Sequence, residues 1–522
     1  MVKWLILVVY LVVMVGIGVY CNKKTKSVSD FVLGGRNIGP WFSAFAFGTS
    51  YFSAVVFIGY AGQFGWKYGI SASWIGFGNA LLGSLLAWLV LGRRTRIMTK
   101  HLDATTMPEY FEKRYDSRTL KIAASLIVFL FLIPYTASVY NGLSRLFESS
   151  LGIPYIYCII IMAVFTAIYV IAGGFHATAL NDFIQGIIML VGILAVVFTI
   201  VSKAGGFSTA MQNLGNIPDE AGNTGTLNTV FGPAPLDLLG VVILTSLGTW
   251  GLPQMIQKFY SISSDSAIKR GTVISTVFAL IVSGGCYFIG GFGRLFATTD
   301  AADTSKALIN VTNGKPEFDA IVPSMLEAAL PEALLGLIVV LVLAASMSTL
   351  SSLVLTSSST LTLDLIKPMA MKNGKDFDEK KQVLVIRVFI ALFLLLSVIM
   401  AAYKNAYITT LMSISWGALS GSFLAPFMLG LFSKKITPAA VGTCFAFGVG
   451  FTVVHTCLFL FGWFPELTKT VASLPVPITL TSPLNAGAFC MLFGLVLCPV
   501  VSMFTKVKDG KKIDAIFTCY EK

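Results

Sequence analysis

Residues 47–54 read FGTSYFSA, a polar interruption inside an otherwise apolar stretch that runs from Trp41 to Tyr60. Backbone N–H and C=O groups in lipid have to be satisfied within their own segment. A broken helix at mid-membrane depth is therefore tolerated only where it lines a cavity or packs inside protein. A second interruption, SLGTWGLPQ at residues 246–254, contains two glycines and a proline that weaken the helical hydrogen-bond ladder.

The two interruptions lie in the second and the seventh predicted membrane helices, five helices apart. Matching breaks in two five-helix halves are typical of transporters built from an inverted repeat, in which unwound carbonyls and half-helix ends face the binding site. Each interruption taken alone is equally compatible with a simple kink or with close packing of helices. Their matching positions favour the transporter interpretation.

The composition around these breaks is that of a membrane protein. Hydrophobic residues make up 56% of the 522 residues, charged residues make up 12%, and the mean hydropathy is +0.81. Because roughly 20 apolar residues cross a hydrocarbon core of about 30 Å, the sequence predicts about thirteen spans. The predicted spans are 5–20, 41–60, 74–91, 120–143, 153–172, 183–201, 238–255, 273–289, 334–355, 383–402, 409–431, 439–461 and 486–504.

Basic residues indicate the orientation, because cytoplasmic loops retain Lys and Arg. They concentrate in alternate connections and in the tail: Lys23, Lys24, Lys26, Arg36, Arg93, Arg94, Arg96, Lys100, Lys113, Arg114, Arg118, Lys121, Lys258, Lys269, Arg270, Lys367, Lys372, Lys375, Lys380, Lys381, Arg387, Lys434, Lys435, Lys506, Lys508, Lys511 and Lys512. An odd number of spans with a basic tail predicts an outside N-terminus and an inside C-terminus in a multi-pass inner (plasma) membrane protein. The net charge of +12 then follows from topology, and we expect no nucleic-acid partner.

The sequence lacks the motifs of metal binding through cysteine pairs, of nucleotide binding and of catalysis. The eight cysteines form no CxxC pair, no GxxxxGK[ST] motif is present, and no cluster of acids or histidines suggests catalysis. We therefore expect neither an enzyme nor an organic cofactor.

A run of hydroxyl residues marks the ninth predicted span, where residues 344–352 read AASMSTLSS. Hard cations such as sodium prefer oxygen ligands, which hydroxyls and carbonyls released at a helix break supply. Ser348 shares a helix face with Ser351 and Ser352, so neighbouring hydroxyls suit one or two ions. Ser and Thr also join transmembrane helices by ordinary packing, which is the alternative.

Asp182 is the strongest ionisable candidate, because it begins the sixth span and charged groups within spans are costly. Its alternative role is that of an acid at a helix N-terminus, where the helix dipole favours negative charge.

Four stretches carry a resemblance to a known family: FVLGGR at 31–36, GGF at 173–175 leading to NDFIQG at 181–186, GLPQ at 251–254 and ASMSTLS at 345–351. Over nearly its whole length the chain resembles the solute:sodium symporters, and most closely the branch of bacterial proline and pantothenate symporters. The resemblance implies an all-α membrane protein with the leucine-transporter type of 5+5 inverted repeat and extra helices outside that core. The implied division is 1–37 for the first helix and cytoplasmic loop, 38–204 for the first repeat, 205–234 for an extracellular loop, 235–432 for the second repeat, 433–505 for the last two helices and 506–522 for a basic cytoplasmic tail.

The resemblance also implies the function. The expected protein is a sodium-coupled secondary active symporter that imports a small organic solute, such as a carboxylate or amino acid, by alternating access. Import of a sugar or a sialic-acid-type solute is the alternative, and a membrane-embedded solute sensor is an alternative of a different class. Sodium, the solute and the lipid bilayer are the expected partners of a protein that works as a monomer.

The family's site residues carry over to matching positions here. The implied sodium ligands are the carbonyls of Thr49, Phe52 and Ala345 and the hydroxyls of Ser348 and Thr349. Some relatives imply a second sodium ion at Asp182, Ser351 and Ser352. The expected solute pocket consists of Ser50, Ser53, Tyr135, Tyr140, Thr249, Trp250, Gln254 and Trp416.

The side chains of the expected pocket indicate what kind of solute it binds. Aromatic faces with neutral hydrogen-bonding groups suit a small polar solute. Ordinary aromatic packing remains the alternative for Tyr140 and Trp416. Proline symporters look to carry an acid where this chain has Tyr51 and aromatic residues where it has Thr245 and Thr249. Proline itself is therefore not the expected solute.

Overall fold

The computed structural model describes residues 2–22, 27–312, 314–372, 377–403, 407–507 and 509–521. Some basic residues used above to predict the orientation lie outside this part of the chain, namely Lys23, Lys24, Lys26, Lys375 and Lys508.

The described residues of the first half of the chain form twelve α-helices. In order they are α1 (Val2–Asn22), α2 (Val28–Leu33), α3 (Pro40–Tyr51), α4 (Ala61–Tyr68), α5 (Ser73–Gly78), α6 (Arg93–His101), α7 (Met107–Tyr115), α8 (Arg118–Leu151), α9 (Tyr155–Lys203), α10 (Phe207–Gly215), α11 (Pro235–Leu247) and α12 (Pro253–Tyr260). The second half continues with α13 (Asp265–Gly290), α14 (Gly293–Phe296), α15 (Phe318–Ala329), α16 (Glu332–Thr360), α17 (Lys367–Lys372), α18 (Glu379–Ala402), α19 (Ile408–Phe432), α20 (Pro438–His455), α21 (Pro465–Ala472), α22 (Pro483–Phe504) and α23 (Gly510–Phe517).

Shorter segments complete the backbone. The π-helical segments are Val55–Tyr60, Asn79–Leu86, Trp88–Gly92, Leu361–Ile366 and Thr456–Leu460, and the 3-10 segments are Gly34–Arg36, Gly69–Ala72, Gly248–Trp250 and Thr518–Tyr520. Within the described part of the chain, four two-residue strands depart from the expected all-α structure. β1 (Ala297–Thr298) pairs in parallel with β2 (Ala307–Leu308), and β3 (Val311–Thr312) pairs antiparallel with β4 (Lys315–Pro316).

The continuous helices that are long and apolar enough to span a membrane are fewer than the roughly thirteen spans predicted, and the number of spans stays a prediction. Among the described residues nine helices are long and apolar enough to cross a membrane, or ten if the bent pair α11 and α12 counts as one span. Part of the difference comes from α9, which holds the two predicted spans 153–172 and 183–201 as two helical arms. The arms meet at Gly174, whose φ of 53° is a conformation that favours glycine.

The centre of the molecule is α16. Its most apolar window is 83% buried, compared with 28% for α18. α16 packs against α1, α3, α8, α9 and α18, so the hydroxyl run of the sequence lies at the middle of the bundle. A helix that is buried on all sides can carry polar groups only if they find hydrogen-bond partners inside the protein. The serines of α16 therefore need such partners.

Two helices approach closely where α4 crosses α13. A Cβ atom built on Gly65 would lie 1.9 Å from the carbonyl oxygen of Gly290, and one built on Gly290 would lie 2.3 Å from the carbonyl oxygen of Ala61. Small residues at such crossings let helix backbones touch in membrane proteins. The contact therefore depends on glycine at both positions.

The basic tail ends in a short folded helix rather than a free segment. α23 is tied to the connections of the bundle by ion pairs of 2.6 Å between Lys512 and Asp116 and 2.7 Å between Lys434 and Asp514. Because all four side chains are about half exposed, these pairs stabilise the helix only weakly.

Asp319 lies in α15, outside the membrane-spanning helices, and is buried at 4% exposure. Its Oδ2 accepts a hydrogen bond from the backbone N–H of Ile408 at 3.4 Å, but burial dominates and raises the pKa of Asp319 to about 6. A carboxyl whose folded-state pKa is raised favours folding when it is protonated. Its contribution to stability is present at low pH and is lost as the pH rises through about 6.

We therefore expect purified protein to gain thermal stability as the pH falls from about 7.5 to about 5, with a rise of about 1 °C from this carboxyl alone. Asp319→Asn should remove that rise and should be the more stable protein at the higher pH. Differential scanning fluorimetry across this range measures both effects. An unchanged pH profile in Asp319→Asn would show that other groups control it.

Candidate functional site

The first interruption of the sequence is a break in the backbone. α3 ends at Tyr51, and Phe52 adopts φ −109° and ψ 100°, an extended conformation. Helical structure resumes at Val55, where the side chain of Ser53 accepts a hydrogen bond from the Val55 N–H at 3.2 Å. The last turn of α3 therefore presents carbonyl groups that no following helical turn covers.

The second interruption is a bend of 42° between α11 and α12. The 3-10 segment Gly248–Trp250 tightens the end of α11, and Leu252 is extended with φ −80° and ψ 121° before α12 starts at Pro253. Proline suits this first helical position because it has no N–H to leave unpaired. Both predicted breaks are thus present in the backbone.

The hydroxyls of α16 converge on the break after α3. Thr349 Oγ1 lies 3.4 Å from the carbonyl oxygens of both Thr49 and Ser50 and 3.2 Å from that of Ala345. Ser348 Oγ lies 2.7 Å from Thr49 Oγ1. Thr49, Ser348 and Thr349 are all fully buried.

This group of oxygens fits a hard monovalent cation. It joins neutral hydroxyls and carbonyls from two helices in a water-excluded place, and neutral oxygen donors are what sodium accepts. Four of the five expected ligands, Thr49, Ala345, Ser348 and Thr349, are brought together by the contacts above. Phe52, the fifth, is buried within the break itself.

Asp182 lies next to this group. Its Oδ1 is 2.7 Å from Ser348 Oγ, so one serine contacts both the carboxylate and Thr49. Its Oδ2 is 3.4 Å from Lys258 Nζ.

The other two residues expected at a second ion are engaged elsewhere. Ser351 donates to the carbonyl oxygen of Ser348 at 2.8 Å, and Ser352 Oγ lies 2.7 Å from Ser50 Oγ. A second sodium ion bound by Asp182, Ser351 and Ser352 stays a prediction.

Lys258 is the site residue that sequence reasoning missed. It was assigned to a cytoplasmic connection after a span ending at residue 255, but α12 continues to Tyr260 and Lys258 is only 3% exposed. The available signal was its spacing of four residues from Gln254, which places both on one face of a helix. The partner carboxylate, 76 residues away in the chain, left no local signal.

An aromatic cluster lies between the two breaks. The ring centroid of Trp416 is 5.8 Å from that of Tyr135 and 6.3 Å from that of Tyr51. A Cβ on Gly248 would lie 2.4 Å from the Trp416 indole, so the second break touches the same ring. Tyr51 donates to the carbonyl oxygen of Thr245 at 2.6 Å.

Four of the eight expected solute residues form two sets that differ in their hydrogen bonds. Thr249 donates to the Gly83 carbonyl at 3.1 Å, and Trp250 Nε1 donates to the Leu82 carbonyl at 2.9 Å, so both hold the second break against a neighbouring segment.

The second set consists of Gln254 and Tyr140, whose polar groups make no hydrogen bond among the described residues. Gln254 and Tyr140 are at most 1% exposed, yet neither the Gln254 amide nor the Tyr140 hydroxyl has a hydrogen-bond partner among the described residues. Buried polar groups without partners are costly, so these two groups are candidates to bond a solute or water.

Comparisons with known proteins show which family the sequence matches. Residues 31–445 match the model of the Sodium:solute symporter family. The chain is 30% identical over 480 residues to the sodium/pantothenate symporter of Escherichia coli (strain K12), covering 90% of this chain and 94% of that protein. It is 28% identical over 442 residues to a sodium/proline symporter of Staphylococcus aureus (strain JH9), covering 84% and 82% of the two proteins.

Solved structures agree on the fold. A Na+-coupled sialic acid symporter in a substrate-bound outward-open state superposes with a TM-score of 0.73 at 17% identity, covering 97% of this chain and 98% of that one. A nucleobase-cation-symport-1 family transporter superposes with a TM-score of 0.50 at 13% identity, covering 93% and 98%. The architecture is thus that of sodium symporters with the leucine-transporter type of fold.

Proposed function

The chain belongs to the sodium:solute symporter family, and from this premise we propose that it imports a small organic carboxylate or amino acid by sodium-coupled alternating access. Membership of the family makes it a transporter and not an enzyme. The observation that carries the proposal is the convergence of Thr349 Oγ1 on carbonyl oxygens of α3 and of α16 at a broken helix.

Sodium binds at this junction in the proposal. The ligands are the carbonyls of Thr49, Phe52 and Ala345 and the hydroxyls of Ser348 and Thr349. An ion held there joins the break after α3 to α16 and so favours one arrangement of the two helices.

The ion and the solute are coupled by linkage. If the ion favours the arrangement that forms the solute pocket, solute binding favours the ion by the same free energy, and the two need not touch. One charge moved across about 100 mV supplies about 2.3 kcal/mol. A tenfold sodium gradient adds about 1.4 kcal/mol, which together support several-hundred-fold accumulation per ion.

The proposed topology follows the family. Residues 38–204 and 235–432 form the two inverted repeats, the N-terminus is outside, the C-terminus is inside, and the monomer works in the plasma membrane. The support is the placement of one break in each repeat, at Phe52 and at Leu252.

The solute occupies the space next to the second break. α12 begins there, and the positive dipole end of a helix N-terminus suits a carboxylate. Gln254, in the first turn of α12, adds an unpaired buried amide, and Tyr140 adds an unpaired hydroxyl. Residues Ser50, Ser53, Tyr135, Thr249, Trp250 and Trp416 complete the proposed pocket. The similarity to a sodium/pantothenate symporter, whose solute is a carboxylate, supports this class of solute.

A ligand screen tests the proposal and identifies the solute. Purified protein is heated with pantothenate, amino acids, short carboxylates, sialic acids and sugars, each with sodium and with choline. A ligand that binds only the folded state raises the melting temperature. We expect a carboxylate or amino acid to do so in sodium and not in choline. A sugar as the sole stabilising ligand would contradict the proposed solute class.

Gln254→Leu should raise the KM for the solute by about 10- to 100-fold, because it removes the proposed hydrogen bond between the buried Gln254 amide and the solute. The maximal rate and the sodium dependence should change much less. Uptake into proteoliposomes at varied solute concentration gives both parameters.

The matched control for this change is Gln212→Leu, since Gln212 is exposed on α10. It should leave KM unchanged. An equal KM in Gln254→Leu and the unmodified protein would remove Gln254 from the pocket.

A further inference from the structure

Lys258 is a buried cation inside the helix bundle. Its side chain is 4% exposed, and its Nζ lies 3.4 Å from Asp182 Oδ2 and 5.2 Å from the centroid of the Phe175 ring. A carboxylate and an aromatic face are both partners for an ammonium group that has left water. Both partners therefore suit the ammonium form of this side chain.

The carboxylate that it faces belongs to the proposed sodium junction. Asp182 is fully buried, and its second oxygen lies 2.7 Å from Ser348 Oγ. Ser348 in turn lies 2.7 Å from Thr49 Oγ1. The Lys258–Asp182 pair thus contacts one of the oxygens proposed to hold sodium, the hydroxyl of Ser348, directly.

A buried carboxylate needs a positive charge beside it, and either a metal ion or an ammonium group supplies one. Here the ammonium is already within reach. The hydroxyls of Ser351 and Ser352, which would complete a second ion site, bond within α16 and to Ser50. A second cation at Asp182 would also be repelled by the fixed charge of Lys258.

We propose that the Lys258 ammonium takes the place of a second sodium ion at Asp182, so that this transporter couples a single sodium ion to each solute. The inference rests on the proposed function for the first ion. Lys258 then sets the ion stoichiometry, because a neutral side chain at position 258 would leave the Asp182 carboxylate available to bind sodium.

Counting bound sodium tests this assignment. Equilibrium binding of radioactive sodium to purified protein should give one ion per chain for the unmodified protein and for Lys258→Arg. Lys258→Gln should bind two, and the double variant Lys258→Gln with Asp182→Asn should return to one. Lys67→Gln is the matched control, because it breaks another lysine–aspartate pair, with Asp237 at 3.2 Å, away from the junction. It should bind one.

Thermal stability gives a second readout that does not depend on transport. Lys258→Gln should melt at a lower temperature in choline than in sodium, by a larger margin than the unmodified protein, because sodium replaces the lost cation at Asp182. Adding Asp182→Asn should reduce that margin to the unmodified value.

Two results would overturn the assignment. One is two sodium ions bound to the unmodified protein, a measurement that holds even if Lys258→Gln does not fold. The other is a folded Lys258→Gln that still binds one ion. Absence of any sodium binding or sodium-stimulated uptake in the unmodified protein would instead refute the proposed function.

Discussion

We expect the double substitution Ser348→Ala with Thr349→Ala to abolish sodium-stimulated uptake without removing the protein from the membrane. Both hydroxyls are fully buried and face oxygens of the broken helix, so their loss removes two proposed ligands at once. Contacts to a charged partner contribute about 1.5 to 3 kcal/mol each, so sodium affinity should fall by roughly 100-fold or more. Uptake in the presence and absence of sodium, measured over a wide sodium range, shows the loss.

The control for this experiment is Ser346→Ala with Thr362→Ala. These two hydroxyls are also buried in the same helical stretch, but they donate to the carbonyls of Val342 and Ser358 within that stretch. Their removal should leave the sodium dependence intact. If the Ser348 and Thr349 variant kept its sodium activation curve, those residues would have no place in the ion site.

Gly65→Ala should prevent most of the protein from folding. The added Cβ would lie 1.9 Å from the carbonyl oxygen and 2.1 Å from the carbonyl carbon of Gly290, so α4 and α13 would have to separate. Both neighbours are backbone atoms, which cannot move aside as a flexible side chain can. We expect a destabilisation of about 3 kcal/mol or more. The yield of monodisperse protein on size-exclusion chromatography and its melting temperature measure the effect.

Gly284→Ala provides the comparison, because it adds the same methyl group to α13 where no heavy atom lies within 4 Å of the new Cβ. It should fold normally and gain slightly from the higher helix propensity of alanine. A Gly65→Ala protein as stable as Gly284→Ala would show that the two helices are not in backbone contact.

The helix positions and the two breaks could be predicted because they depend on local sequence. Apolar runs of sufficient length form helices in lipid, and residues such as Ser53 and Pro253 interrupt them where they stand. The family resemblance then associated the hydroxyls of α16 with the first break, and the structure places Thr349 against Thr49. The number of continuous helices was less predictable, because a single glycine, Gly174, joins two predicted spans without intervening coil.

Lys258 could not be predicted in the same way. A lysine near the end of an apolar run normally marks the membrane surface, and this expectation fails only where a distant acid compensates the buried charge. Asp182 does so from another helix. Contacts of that kind depend on how helices pack, which hydropathy and residue spacing do not encode.

The position of Trp416 has a mechanical consequence for the transport cycle. One rigid indole plane touches Gly248 of the second break and neighbours the Tyr51 ring beside the first. A flat aromatic spacer of fixed thickness cannot be compressed, so a tilt of either half-helix toward it has to displace the ring or push the opposite half-helix. We therefore expect movement at one break to be transmitted to the other through the Trp416 side chain.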